Sequence, residues 1–199
     1  MPPYFIVLTH TDSVNDFVVS MIGVNQGDRL DYCDRAVTLL GLLPYSQLIA
    51  VSSLYETEPL VDERTNPGTE LFLNGVVCIE TEIAPLGLLE ICREIEQALG
   101  RDHDRRQGPR TLDLDILFYG ARVVHESDLI IPHPRLHLRR FVLAPMVELD
   151  PEWRHPELEV TVKKLLDGLS PAPHVRRLEP QPGTRYGSRP VCSVRTPSA

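Results

Sequence analysis

The run Gly108-Pro-Arg-Thr-Leu-Asp-Leu-Asp115 holds the residues best suited to chemistry in this chain. Its apolar alternation predicts a strand over Thr111–Tyr119. Period two then puts Asp113 and Asp115 on one face, with Leu112, Leu114 and Ile116 turned toward a core. Two hard anionic ligands side by side suit Mg²⁺, which takes one or two carboxylates and completes its shell with water and phosphate oxygens. A bare Asp-x-Asp pair is more often a solvated strand face. The loop ahead of it tips the balance: Arg101, Arg105, Arg106 and Arg110, with His103, surround Gly108-Pro109. Guanidinium groups beside a carboxylate-held metal are what phosphoryl transfer requires.

Ile131-Pro-His133-Pro134 precedes Arg135, His137, Arg139, Arg140 and Phe141. His133 and His137 have the spacing of a zinc pair, but Pro134 breaks the helical turn that such a pair needs, and no HExxH pattern is present. A phosphate-contacting His133 with Arg139 nearby agrees better with the arginine loop, and loop histidines with a structural role are the plainer alternative. Asn74, in Phe72-Leu-Asn74, falls on a predicted strand between apolar Leu73 and Val76. A buried amide needs several partners, and its donor and acceptor match the edge of a heterocycle. No P-loop, dinucleotide fingerprint or nucleophile triad is present.

The elements that must position these residues follow in the order β-α-β-β-α-β. Strands are predicted at Val18–Val24, Gln47–Leu54, Leu71–Glu82 and Thr111–Tyr119. Helices are predicted at Asp28–Leu43, with Leu30, Cys33, Val37 and Leu40 on one stripe and Pro44 as the stop, and at Pro85–Leu99, ended by Gly100. Tyr55–Gly68 reads as a polar loop, 129–131 as a short strand, and Arg140–Leu149 and Val160–Leu166 as short helices. This is the order of a ferredoxin-like α+β sandwich, an antiparallel sheet with helices on one face. Residues 1–17 read as an N-terminal extension and 18–169 as one domain. From 170 to 199, six prolines in 30 residues read as a flexible tail.

A chain of this length allows one domain with appendages, and 42% apolar residues are enough to give it a sizeable core. Its 28 acidic against 20 basic residues give −8, which argues against a general nucleic-acid or anionic-membrane binder. Nine of those basic residues nonetheless fall between Arg93 and Arg140, so a local anion site survives in an acidic protein. Cys33, Cys78, Cys92 and Cys192 are too scattered for a metal pair and too few for a disulfide scaffold, which fits reduced thiols and a cytoplasmic protein.

From Val18 to Pro151 the chain resembles the 6-hydroxymethyl-7,8-dihydropterin pyrophosphokinases (HPPK) of folate biosynthesis. The likeness runs through Val51-Ser-Ser-Leu-Tyr-Glu-Thr-Glu-Pro59, Phe72-Leu-Asn-Gly75, Ile95-Glu-Gln-Ala-Leu-Gly-Arg101, Gly108-Pro-Arg-Thr-Leu-Asp-Leu-Asp115 and Ile131-Pro-His-Pro-Arg135. It implies a ferredoxin-like fold and transfer of pyrophosphate from ATP to the pterin hydroxymethyl group, with AMP released. It assigns Asp113 and Asp115 to two Mg²⁺ ions and Arg101 and Arg110 to catalysis. It places Glu96, Ile116, His133 and Arg139 at the nucleotide, and Thr57, Leu60, Phe72, Asn74 and Phe141 at the pterin. It implies a functional link to dihydropteroate synthase, the next enzyme of the pathway.

The chain departs from the family pattern in three places. Gly23-Val-Asn-Gln-Gly-Asp28 replaces the usual Gly-Ser-Asn-Leu-Gly-Asp, Gln107 stands where Trp is usual, and Arg93 replaces a common neutral amide. Gln107 and Val24 are the support for a rival reading, a catalytically silent nucleotide- or pterin-binding module. A metal-dependent glycosyltransferase or nuclease ranks below both, for want of an active-site base and a larger domain.

Overall fold

Asp28 starts the first helix because its carboxylate accepts the Asp31 N–H at 3.1 Å, satisfying a donor that the helix itself leaves open. The helix, α1 (Arg29–Gly41), buries Cys33, Ala36, Val37 and Leu40, the i, i+4 spacing of one apolar stripe. Pro85, whose missing N–H costs nothing at a helix start, opens α2 (Pro85–Ala98), which buries Leu88, Ile91, Cys92 and Ile95. Gly100 at φ +89° turns the chain out of it, in the left-handed region that glycine enters without strain. The computed structural model describes residues 16–58, 71–101, 111–172, 174–179 and 186.

The strands are β1 (Asp16–Val24), β2 (Ser46–Val51), β3 (Tyr55–Thr57), β4 (Phe72–Thr81) and β5 (Asp113–Tyr119), followed by β6 (Val124–His125), β7 (Ile130–Ile131) and β8 (Val175–Arg177). The main sheet is antiparallel, in the order β5-β1-β4-β3-β8, with β2 also paired to β4. β2 and β3 share the same flank of β4, so the four-strand order is that of a ferredoxin-like sandwich. β6 and β7 form a separate hairpin.

Leu73–Ile79 is buried without interruption because the sheet is covered on both faces. Val18, Ile22, Leu73, Val77 and Ile79 pack with α1 and α2. Val19, Met21, Val76 and Cys78 pack instead with the extra short helices, α3 (Arg140–Leu149) and α4 (Val162–Asp167), through Val142, Leu143, Met146 and Val162. The two long helices thus share one face, as the element order implies, and the C-terminal helices close the other. Each fully buried Leu, Ile or Val contributes roughly 1.5–3 kcal/mol.

Two short pairings depart from the expected loops. Tyr55–Thr57, expected within a polar loop, pairs with β4. Val175–Arg177, expected within a flexible tail, pairs with β3, and Leu178 and Tyr186 pack against the α1/α2 core. Among the described residues no helix is long and apolar enough to cross a membrane, and Cys33, Cys78 and Cys92 are buried.

Candidate active site

Gly23 is the centre of the site. In the sheet register it lies opposite Asn74 of β4 on one side and Asp113 of β5 on the other. Directly opposed residues of antiparallel strands project to the same face, so Asn74 and Asp113 stand on one face about 10 Å apart, two inter-strand spacings. Asp115 pairs with Met21 and Thr57 with Phe72, so Asp115, Thr57 and Phe72 join that face too. This is the α3 side of the sheet. The predicted alternation along β5 holds: Leu112, Leu114 and Ile116 are buried, whereas Asp113 and Asp115 are partly open.

Asn74 is 1% exposed, and its amide donates to Thr57 Oγ1 at 2.7 Å. A Cβ on Gly23 would come within 3.3 Å of Asn74 Oδ1, so the amide lies close above a bare strand. Gly23 itself escaped the sequence reading as a site residue. Its one signal is a glycine interrupting an otherwise apolar strand, which marks close approach of another group.

Arg101 occupies the other side of the site. Its Nη1 pairs with Asp113 Oδ1 at 2.5 Å and with Glu96 Oε1. Glu96, on the last turn of α2, is 4% exposed and accepts the Leu114 N–H at 2.7 Å from the outer edge of β5. Burial pushes its carboxyl up to about 7, although the Leu114 N–H and Arg101 pull the other way. In this arrangement Glu96 meets the site through Arg101, as the anchor of the guanidinium.

His133 Nε2 lies 3.9 Å from Asp115 Oδ2. Its Nδ1 accepts the Arg135 N–H at 3.2 Å, which leaves the proton of the neutral ring on Nε2. Burial, reinforced by Arg139 and Arg135, pulls its pKa down to about 4, so near neutrality the ring acts as a hydrogen-bond donor and not as a cation. Arg139, at the start of α3, stacks its guanidinium 5.6 Å from the Phe141 ring, which begins the same helix.

The sheet therefore brings Asp113, Asp115, Thr57, Phe72 and Asn74 to one face. Arg101, His133, Arg139 and Phe141 come from neighbouring segments. Ile116 differs from the rest. Ile116 is 4% exposed and its side chain belongs to the α1/α2 core, so it does not share the face that carries Asp113 and Asp115. Leu60, Arg110 and Gln107 lie outside the described residues.

The donor set fits a hard divalent cation. It offers two carboxylates and no thiolate, and among the described residues no group of three or more His, Cys, Asp or Glu forms a self-sufficient cage. That is the short ligand set of a magnesium whose remaining positions go to water and phosphate.

The raised Glu96 pKa has a testable sign. Between 4.5 and about 7 the native state binds the proton that the unfolded chain has released, so this group's contribution to stability is full below 4.5 and lost as pH rises to about 7. Glu96→Gln keeps an oxygen for the Leu114 N–H and removes the titration. Chemical denaturation across pH 4.5–8 is expected to show the variant gaining on wild type as pH rises, by an amount on the order of 3 kcal/mol at the upper end. Parallel curves would place the carboxyl in the ordinary range.

Fold and side-chain set together define a ferredoxin-like α+β transferase. The family model of 7,8-dihydro-6-hydroxymethylpterin-pyrophosphokinase (HPPK) matches residues 19–151, and the chain belongs to that family. It is 42% identical over 136 residues to the Bacillus subtilis 2-amino-4-hydroxy-6-hydroxymethyldihydropteridine pyrophosphokinase, a match covering 68% of this chain and 79% of that protein. It is 38% identical over 155 residues to the Schizosaccharomyces pombe folic acid synthesis protein fol1, covering 78% of this chain but 21% of that longer protein. A crystal structure of Plasmodium falciparum HPPK-DHPS superposes with a TM-score of 0.64 at 17% identity, over 82% of this chain and 47% of that one.

Proposed function

We propose that the chain transfers the β,γ-pyrophosphoryl group of ATP to the hydroxymethyl oxygen of 6-hydroxymethyl-7,8-dihydropterin. A new O–P bond forms at the β-phosphorus, the bond from that phosphorus to the oxygen bridging to the α-phosphate breaks, AMP leaves, and the hydroxyl proton passes to solvent. The observation that carries the reading is the flanking of Gly23 by Asn74 and Asp113. A group suited to reading a heterocycle edge and a group suited to holding a cation thus share one face, on either side of β1.

Asp113 and Asp115 would hold the magnesium, in this reading two ions, which neutralise phosphate charge when bound. Arg101 and Arg110 offset charge that develops on the transferred group. The His133 Nε2–H and Arg139 contact the nucleotide phosphates, the Ile116 backbone borders its base, and Glu96 holds Arg101 in place. Asn74 and Thr57 bind the pterin edge, with Phe72, Phe141 and Leu60 against its ring. No strong base faces the acceptor among the described residues, so positioning and electrostatics supply the rate. The buried Cys33 and Cys92 agree with a cytoplasmic setting, and the Plasmodium HPPK-DHPS protein supports a functional link to dihydropteroate synthase.

The deciding experiment follows AMP release from purified protein with ATP, Mg²⁺ and the dihydropterin, beside a metal-free control. Pterin- and Mg²⁺-dependent AMP is the expected result. Binding of both substrates without AMP would instead identify a silent binding module.

Gly23→Ala supplies a sharper check on the geometry. The added methyl would sit 3.3 Å from Asn74 Oδ1 but 3.8 Å from Asp113 Cβ, so the amide must give way while the carboxylate need not. The pterin KM is expected to rise roughly tenfold, about 1.4 kcal/mol, with the ATP KM within twofold. An equal rise in both would show that the sheet end moves as a whole.

A further inference from the structure

β8 lies beyond the residues that the family model matches, yet it is built into the site's supporting layer. β3 is three residues long and pairs with β4 only through Tyr55–Asn74, Glu56–Leu73 and Thr57–Phe72. A strand that short, paired along one edge, holds its side chains weakly. β8 supplies the second edge, with Arg177 opposite Tyr55, Arg176 opposite Glu56 and Val175 opposite Thr57, and the Leu178 N–H donates to Leu54 O at 2.8 Å.

Two consecutive arginines of β8 then grip opposite faces of the sheet. On the site face, Arg177 Nε donates to Ser53 Oγ at 2.9 Å and its Nη2 meets Glu148 Oε1 at 3.3 Å. Glu148 comes from α3 and also accepts the Ser53 N–H, the Ser53 hydroxyl and the Tyr55 hydroxyl at 2.8–3.0 Å. On the other face Arg176 pairs with Glu56, which Arg29 of α1 also contacts at 3.0 Å, and Arg29 Nη1 donates to Leu71 O at 2.8 Å. The arginine beside it holds the Glu56 carboxyl below the usual carboxylate range. Tyr55 and Glu56 are thus fixed from both faces, one residue before Thr57, whose hydroxyl orients the Asn74 amide.

We propose that β8 is a positioning element for the heterocycle pocket. Arg176 and Arg177 hold β3 in the register that lets Thr57 and Asn74 read the acceptor ring. The inference rests on the pterin reading of that pocket. It makes the C-terminal segment specific to one substrate, because Asp113 and Asp115 stand on β5, with Arg101 on Asp113, on the far side of β1 from β3 and β8.

The test uses the full chain carrying Arg176→Ala and Arg177→Ala together, with steady-state kinetics varied separately in 6-hydroxymethyl-7,8-dihydropterin and in ATP. The expected result is a rise of about tenfold in the pterin KM, with the ATP KM and kcat within twofold. Arg176→Lys and Arg177→Lys, which keep charge but lose the planar fork, should recover part of the loss. If the double variant does not fold, Arg177→Ala alone, which keeps the Arg176–Glu56 pair, should raise the pterin KM about threefold. An unchanged pterin KM, or ATP and pterin KM rising together, overturns the proposal. A wild-type protein that forms no pterin-dependent AMP overturns the functional reading instead. In that case amide exchange decides the role of β8, with faster exchange at 55–57 expected in the double variant and unchanged exchange counting against it.

Discussion

Exchange of Asp115 for Ala is expected to lower the rate of AMP formation by at least a thousandfold while leaving the protein folded. A thousandfold is about 4 kcal/mol of transition-state stabilisation, within the range that one metal-holding or oxyanion-facing group supplies. The carboxylate sits on the open face of β5, where its side chain is 33% exposed, and the apolar residues that anchor the strand point the other way. Truncation there leaves no cavity in either core, so the stability change should stay within about 1 kcal/mol. AMP release and thermal denaturation together check the prediction. Retained turnover would remove the carboxylate from the metal site, and loss of folding would make it structural. Asp113→Ala is less clean, because it also frees Arg101, so its effect and that of an Arg101 variant should not add.

Much of this arrangement is legible from local pattern. Alternation along β5 separates the aspartates from the leucines, Asp28 announces α1, and Gly100 ends α2. These signals work because each depends on neighbours a few residues away. The contacts that complete the site do not. Tyr55–Thr57 and Val175–Arg177 are too short to show a period, and they become strands through long-range pairing, the first with β4 and the two with each other across about 120 residues. The role of Gly23 depends on which residues the register sets beside it. Ile116 shows the converse: a resemblance assigns a position, but side-chain direction is fixed by parity along the strand, and that parity turns Ile116 into the core. The C-terminal prolines point toward a flexible tail, yet Val175–Arg177 pairs as a strand, and composition carries no trace of the two arginines that tie this stretch to β3 and α3.

Arg101→Ala is expected to lower kcat by about 10²–10³ with the ATP KM changed no more than a few-fold, the pattern of a group whose interaction strengthens in the transition state. One guanidinium nitrogen serves Glu96, Asp113 and, at 3.4 Å, Leu112 O, so removing it has a second consequence besides catalysis. Glu96 is left buried without its cation. Its carboxyl stands near 7 with Arg101 beside it, and loss of the arginine raises it further, because the positive charge favours the ionised form. The variant's stability deficit should therefore widen as pH rises from 6 to 8 and narrow below 6. Adding Glu96→Gln separates the two roles. The double variant should recover most of the stability lost at pH 8, since no charge remains to be buried, and none of the lost kcat, since the guanidinium is still missing. Recovery of both would make Arg101 a structural counter-ion, whereas recovery of stability alone leaves it acting on the transferred group.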